Sequence, residues 1–161
     1  MNYTTSLDRL SKIITIATSI LFIVIIVGQF ALLPKDHRLI SIVTALFLTG
    51  CYALIFSLRP VSYVLTTDSL IIHRLLKDVL IKRSTIIAAT ALDKNELRNS
   101  IRTFGVGGLF GYFGRFANPK LGYMTWYATR RDNAILINTT GKKKIILTPD
   151  DPIAFLAAIN R

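Results

Sequence analysis

The chain has 161 residues, 52% of them apolar and only 18% charged, yet its formal net charge is +11. A typical soluble domain is about 25% charged, so a uniformly solvated globule is excluded. The single cysteine, Cys51, excludes an intrachain disulfide framework and a cysteine-based metal site.

Two apolar runs without charge, Ile13 to Leu33 and Leu39 to Leu58, are separated only by Pro34-Lys35-Asp36-His37-Arg38. Each has about the 20 residues an α-helix needs to cross the hydrocarbon core of a bilayer. Residues 1–59 are therefore expected to form a transmembrane helical hairpin, with helices over about 13–33 and 39–58. The first run exceeds the apolar core of a signal peptide, about 7–15 residues, and no small-x-small site follows it before Pro34, so a retained anchor is expected. Arg9, Lys12, Arg59, Arg74 and Lys77 flank the hairpin on the side of the chain ends, against Lys35 and Arg38 in the connecting loop. Cations concentrate on the cytoplasmic side, which predicts a multi-pass protein of the cytoplasmic (inner) membrane with both termini in the cytoplasm. Polar residues within the runs include Gln29, Thr15, Thr18, Ser19, Ser41, Thr44 and Thr49, and neither run contains a charged group. Intramembrane charges mark transport paths, so the hairpin is read as an anchor.

After Arg59-Pro60 the pattern turns from continuous to alternating, and residues 60–161 read as a small cytoplasmic β domain. Val61 to Thr66 and Ser69 to Leu75 flank a tight turn at Thr67-Asp68; Val79 to Lys82 and Thr85 to Leu92 follow. In Gly122 to Arg131, period-2 spacing sends Met124, Trp126 and Ala128 one way and Thr125, Tyr127 and Thr129 the other. Ala134 to Asn138 and Lys144 to Leu147 complete seven strands. Thr148-Pro149-Asp150-Asp151-Pro152 then supplies caps and a first-turn proline for a C-terminal helix, with Ile153, Phe155, Leu156 and Ile159 as its apolar stripe. The expected class is α+β: a transmembrane hairpin, then a seven-stranded sandwich or barrel capped by a helix.

The stretch Gly107-Gly108-Leu109-Phe110-Gly111-Tyr112-Phe113-Gly114, with Asn118, Leu121-Gly122, Tyr127-Ala128-Thr129 and the closing Thr148 to Pro152 with Phe155, resembles the bacterial PH-like (pleckstrin-homology-like) domains of small membrane proteins. The resemblance covers roughly Arg59 to Ile159, and the two preceding helices match a common arrangement of that family. It implies a four- and a three-stranded sheet capped by the C-terminal helix, and it implies no substrate. Phosphoinositide-binding PH domains gather Lys and Arg around the first hairpin, where this chain has Thr66-Thr67-Asp68-Ser69. The usual headgroup pocket is therefore not carried over.

Two segments are candidate binding sites. Arg102 to Gly122 holds six glycines and reads as a long irregular loop, in which Phe110, Tyr112, Phe113, Arg115, Phe116 and Lys120 would meet the bilayer surface or a partner, or else an insertion folded over its own sheet with the aromatics as satellite core. Arg130, Arg131, Lys142, Lys143 and Lys144 would gather at one end of a sheet, either as a solvated rim that keeps the domain soluble or to meet anionic lipid or an acidic partner. His37 and His73 are isolated, and no His, Cys or carboxylate cluster has metal-ligand spacing. The expected function is non-enzymatic, without metal or cofactor. A PH-like domain would be presented at the cytoplasmic membrane surface to bind protein or lipid; the alternative is an accessory subunit of a membrane transport or enzyme complex. Expected partners are membrane lipids and a membrane protein or second copy; nucleic acid fits a tethered domain less well.

Overall fold

The computed structural model describes residues 1–160. Both apolar runs are helices, α1 (Arg9–Leu32) and α2 (Arg38–Leu58), joined by one 3-10 turn at Lys35–His37. Their Val- and Ile-rich sequence would suit strands in water. In hydrocarbon the backbone must satisfy itself, and a helix does so within one segment. Both are long and apolar enough to cross a membrane, and only 6% of the most apolar window of each is buried, unlike a soluble core helix. They meet at Tyr52 of α2, whose hydroxyl shares a hydrogen bond with Ser19 of α1 and whose ring lies 5.7 Å from that of Phe22. Gln29 does not bond across the pair: its Nε2 is buried without a partner.

The described residues form ten strands, more than the expected seven, in two sheets. One sheet is β1 (Asn2–Thr4), β2 (Pro60–Leu65), β3 (Ser69–Arg74) and β4 (Val79–Lys82), in that order and antiparallel. The other contains β5 (Ile86–Leu92), β6 (Ile101–Gly108), β7 (Gly111–Asn118), β8 (Gly122–Ala128), β9 (Ala134–Thr139) and β10 (Lys144–Leu147). Its order is β5-β9-β10-β8-β7-β6, with β10 and β8 the parallel pair. The edge strand β1 comes from residues before the helices. Asp150 holds it there, accepting from the Thr4 hydroxyl at 2.9 Å and from the Ser6 amide at 3.0 Å.

The expected irregular loop at 102–122 is a correction: it is the β6–β7 hairpin and the start of β8. Two of its glycines are required by the pairing. Gly105 and Gly114 face each other at φ 109° and 122°, and a Cβ on Gly105 would lie 2.4 Å from the Phe113 carbonyl oxygen. Only glycine occupies that region freely.

The main core lies between the sheets, with Tyr63, Leu70 and Ile72 meeting Ile135, Ile137 and Leu147. Tyr63 ties the layers together. Its hydroxyl donates to the Tyr127 carbonyl and accepts from the Thr148 amide at 3.2 Å, and burial pushes its pKa up to about 12. The helix α3 (Pro152–Ile159) is capped by Asp151, which accepts from the Ala154 amide at 2.9 Å. It buries Phe155 and Ile159 in this core. Ile153, expected in the same stripe, is 81% exposed, because it points away from both sheets.

A second core covers the outer face of the larger sheet, where Tyr112, Phe116, Met124 and Trp126 lie with Leu97 of the 93–100 segment. Phe116 stacks on Trp126 at 4.3 Å and 18°. Such a pair contributes about 0.5–1.5 kcal/mol beyond its buried area. Buried Asn118 pins the segment by donating to the Glu96 and Arg98 carbonyls at 3.0 and 3.2 Å.

Candidate functional site

The tip of the β6–β7 hairpin meets both helices. Ser11 of α1 donates its hydroxyl hydrogen to the Gly108 carbonyl at 2.6 Å, and the Phe110 amide donates to the Thr15 hydroxyl at 2.9 Å. The Phe110 ring lies 5.0 Å from Tyr52 and 5.1 Å from Phe56 of α2, both edge-on. Arg59 places its guanidinium 4.2 Å from the Phe56 ring centroid. Gly108 must be glycine for this approach: a Cβ there would lie 2.5 Å from Ile14 Cδ1.

Asp8 adds a second link. It caps α1 by accepting from the Ser11 amide at 2.7 Å, accepts the Arg131 amide at 3.2 Å, and receives the Tyr112 hydroxyl at 3.3 Å. Burial, then the Asp8 charge, pushes the Tyr112 phenol up to about 12. A third link joins the β3–β4 turn to α2, where the Leu76 amide donates to the Ser57 carbonyl at 3.0 Å. Leu75 and Leu76 are both exposed there, between Arg74 and Lys77.

These contacts define a helix-proximal end of the larger sheet. Register then places the other end. Phe110 precedes β7, Phe116 pairs with Met124, and Lys144 lies one residue before the Ile145–Thr125 pair. Six residues at about 3.3 Å each put the Lys142–Lys144 turn about 20 Å beyond the hairpin tip.

At that far end, beside β4, a cleft of about 720 Å³ opens between the sheets. Lys82, Arg115 and Lys143 line it together with Thr85, Thr125, Thr139 and Thr140, over a floor of Tyr127 and Ile145. No carboxylate lines it. A neighbouring depression of about 300 Å³ is lined by Arg115, Tyr123 and Lys142 to Lys144. Lys144 spends its ammonium on the Leu121 carbonyl at 2.7 Å. Among the described residues no ion pair is made by Lys82, Arg115, Lys142 or Lys143. The arrangement suits an anionic ligand held by mobile cations and hydroxyl donors.

The two candidate segments therefore redistribute. The expected gathering of Arg130 and Arg131 with Lys142, Lys143 and Lys144 is a correction, because these groups lie at opposite ends of β9. Arg130 is neutralised by Asp132 and by Asp150, the latter at 3.4 Å, and Arg131 stacks over Tyr112 at 4.9 Å. Of the glycine-rich segment, Tyr112, Phe113 and Phe116 are buried, Phe110 meets the helices, and Arg115 reaches the cleft. Lys120 sits in the β7–β8 turn, its amide donating to the Asn118 side chain at 2.8 Å. Sequence reading missed Lys82: a single lysine ending a four-residue strand carries no local signal, and only sheet packing sets it beside Arg115. His73 forms a pair with Asp78 at 2.7 Å in the exposed β3–β4 turn. Among the described residues no group of three or more His, Cys, Asp or Glu is placed to hold a metal ion.

Two packed sheets closed by a C-terminal helix, carried behind two apolar helices, define a PH-like domain protein. The chain belongs to the bacterial PH domain family, whose model matches residues 61–161. Neither a curated protein nor a solved structure matches it.

Proposed function

We propose that this is a non-enzymatic integral membrane protein whose two helices cross the cytoplasmic membrane and hold the PH-like domain at its cytoplasmic face, where the domain binds another protein. The observation that carries this reading is the seating of Gly108 and Phe110 on Ser11, Thr15, Tyr52 and Phe56. A domain on a loose tether would sample all orientations; one docked at the helix ends presents a fixed face. Five flanking cations against two favour the cytoplasmic side. Protein is favoured over the parent bilayer as the partner. The Lys142–Lys144 turn lies about 20 Å beyond the junction, more than two Debye lengths at physiological salt, about 8 Å each.

The alternative, an accessory subunit of a membrane transport or enzyme complex, is favoured by one feature. A depression of about 200 Å³ beside Ser19, Phe22, Thr49 and Tyr52 opens on the helix pair and could seat a side chain of a partner helix. Labelling of Lys142→Cys, in a Cys51→Ala background, with an impermeant maleimide tests the main reading. Protection in intact cells and labelling after inner-membrane permeabilisation are expected; labelling from outside overturns the cytoplasmic assignment. Isolation in mild detergent decides between the readings: a stoichiometric partner held through α1 and α2 favours the accessory subunit, one held through the domain favours presentation.

A further inference from the structure

We infer that the free edge of β4 and the basic cleft beside it form a docking site for an extended acidic segment of a partner protein, added as a fifth strand to the smaller sheet. This rests on the proposed presentation of the domain to partners and names the chemistry of one.

Geometry supplies the first argument. β4 ends the order β1-β2-β3-β4 and β3 is its one strand partner, so its outer edge carries unpaired backbone groups, apart from the Lys82 carbonyl, which accepts from the Thr85 hydroxyl at 2.7 Å. The cleft runs along that edge, lined by all four residues of β4. Its volume of about 720 Å³ is within the ~300–1,000 Å³ of ligand-sized clefts. Edge-strand pairing is a recurring way to bind extended peptides, with backbone bonds for affinity and alternate side chains for specificity.

Charge supplies the second. Successive side chains of an added strand point to opposite faces, so every second one would enter the cleft. There it meets Arg115 and Lys143, with the Thr125 and Thr140 hydroxyls as further donors and Lys82 at the edge. Without a carboxylate on the wall, Asp or Glu at alternate positions is the complementary pattern. A lysine on an edge strand is often only a guard against aggregation. That explanation covers Lys82 but leaves Arg115 and Lys143 on the opposite wall unaccounted for. Nucleic acid fits less well, since a single aromatic, Tyr127, lines the cleft and single strands bind on successive stacking platforms. The parent bilayer is at the other end of the domain.

The test uses the full chain in nanodiscs of zwitterionic lipid and a fluorescent peptide of alternating Glu and Val. Binding is expected to weaken as salt rises from about 0.01 M to about 0.15 M, which shortens the Debye length from about 30 to about 8 Å. Arg115→Glu and Lys143→Glu, both at exposed positions, should each weaken it about tenfold, or about 1.4 kcal/mol. A peptide N-methylated at alternate residues keeps its charge and loses strand pairing, and should also bind about tenfold more weakly. Absence of binding by the Glu-Val peptide overturns the inference. So does equal binding by the N-methylated peptide, or a single-stranded oligonucleotide that binds more tightly. If the peptide fails while Lys142→Cys still labels only from the cytoplasmic side, the edge inference falls and membrane presentation stands.

Discussion

The Ser11 hydroxyl of α1 donates to the Gly108 carbonyl at the tip of the β6–β7 hairpin, at 2.6 Å. One short bond thus joins the first apolar helix to the second sheet, across a sequence separation of 97 residues. Gly108 accepts it at φ 134°, a conformation open to glycine, with Ile14 against its α-carbon.

Replacing Gly108 with alanine should therefore undo the docking more than the sandwich. The new Cβ meets Ile14 Cδ1 at 2.5 Å and the backbone is strained, at a cost of about 1–3 kcal/mol for the strain alone. Hydrogen exchange at the Phe110 amide should rise while β9 amides stay protected. Adding Ile14→Ala removes the clash and should recover only part of the protection.

Phe110→Ala removes both edge-on contacts, with Tyr52 and Phe56. Loss of a buried phenylalanine costs about 3–5 kcal/mol in a rigid core, and the lower end applies at a junction that can close up. Thermal unfolding followed by Trp126, the single tryptophan, should shift to lower temperature. An unchanged midpoint would mean the junction adds nothing to domain stability.

Asp150 makes the attachment of β1 acid-sensitive. Burial pulls its carboxyl up, but hydrogen bonds from Ser6 and Thr4 and the Arg130 charge outweigh that and hold it below its ordinary value. A depressed carboxylate stabilises the fold above the unfolded-state pKa, about 3.9, and loses that contribution as pH falls through the folded value. The melting temperature of the wild type should drop below about pH 4, and Asp150→Asn should start lower at neutral pH and show a shallower acid decline.

Asn118→Ala leaves the Glu96 and Arg98 carbonyls without their donor and the Lys120 and Leu121 amides without their acceptor. Buried groups left unpaired cost about 1–3 kcal/mol. The 93–100 segment should loosen over the second core, moving Trp126 emission to longer wavelength. Asn118→Asp keeps the acceptor but sets a carboxylate oxygen against the same two carbonyls at a buried position, so its effect should be at least as large.

The helices were readable because an uninterrupted apolar run of about twenty residues, the length that can cross a bilayer, signals a helix whatever the tertiary contacts. The alternation of Met124, Trp126 and Ala128 against Thr125 and Tyr127 was readable for a similar local reason, a strand period of two. Arg102 to Gly122 misled because glycine density marks a loop unless Gly105 is known to face Gly114. Residues 2–4 are too few to show a period, and their place in the sheet depends on β2, far along the chain. The cleft needed both sheets: Lys82 and Arg115 come from two strands and Lys143 from the turn before β10, and the three share no local pattern. Arg130 and Arg131 looked like partners of the lysine turn because they are close in sequence, yet the length of β9 separates them.

The most direct test is the depth of two residues in the same membrane. With Cys51→Ala as background, a nitroxide is attached at Leu76→Cys, beside the end of α2, or at Lys142→Cys, at the far end of the larger sheet. Collision rates with oxygen and with a water-soluble nickel chelate are measured in reconstituted vesicles. A docked sandwich predicts an oxygen-rich, interfacial position for residue 76 and a fully aqueous one for residue 142, unchanged by anionic lipid. A residue 142 label that enters the bilayer when anionic lipid is added would contradict it.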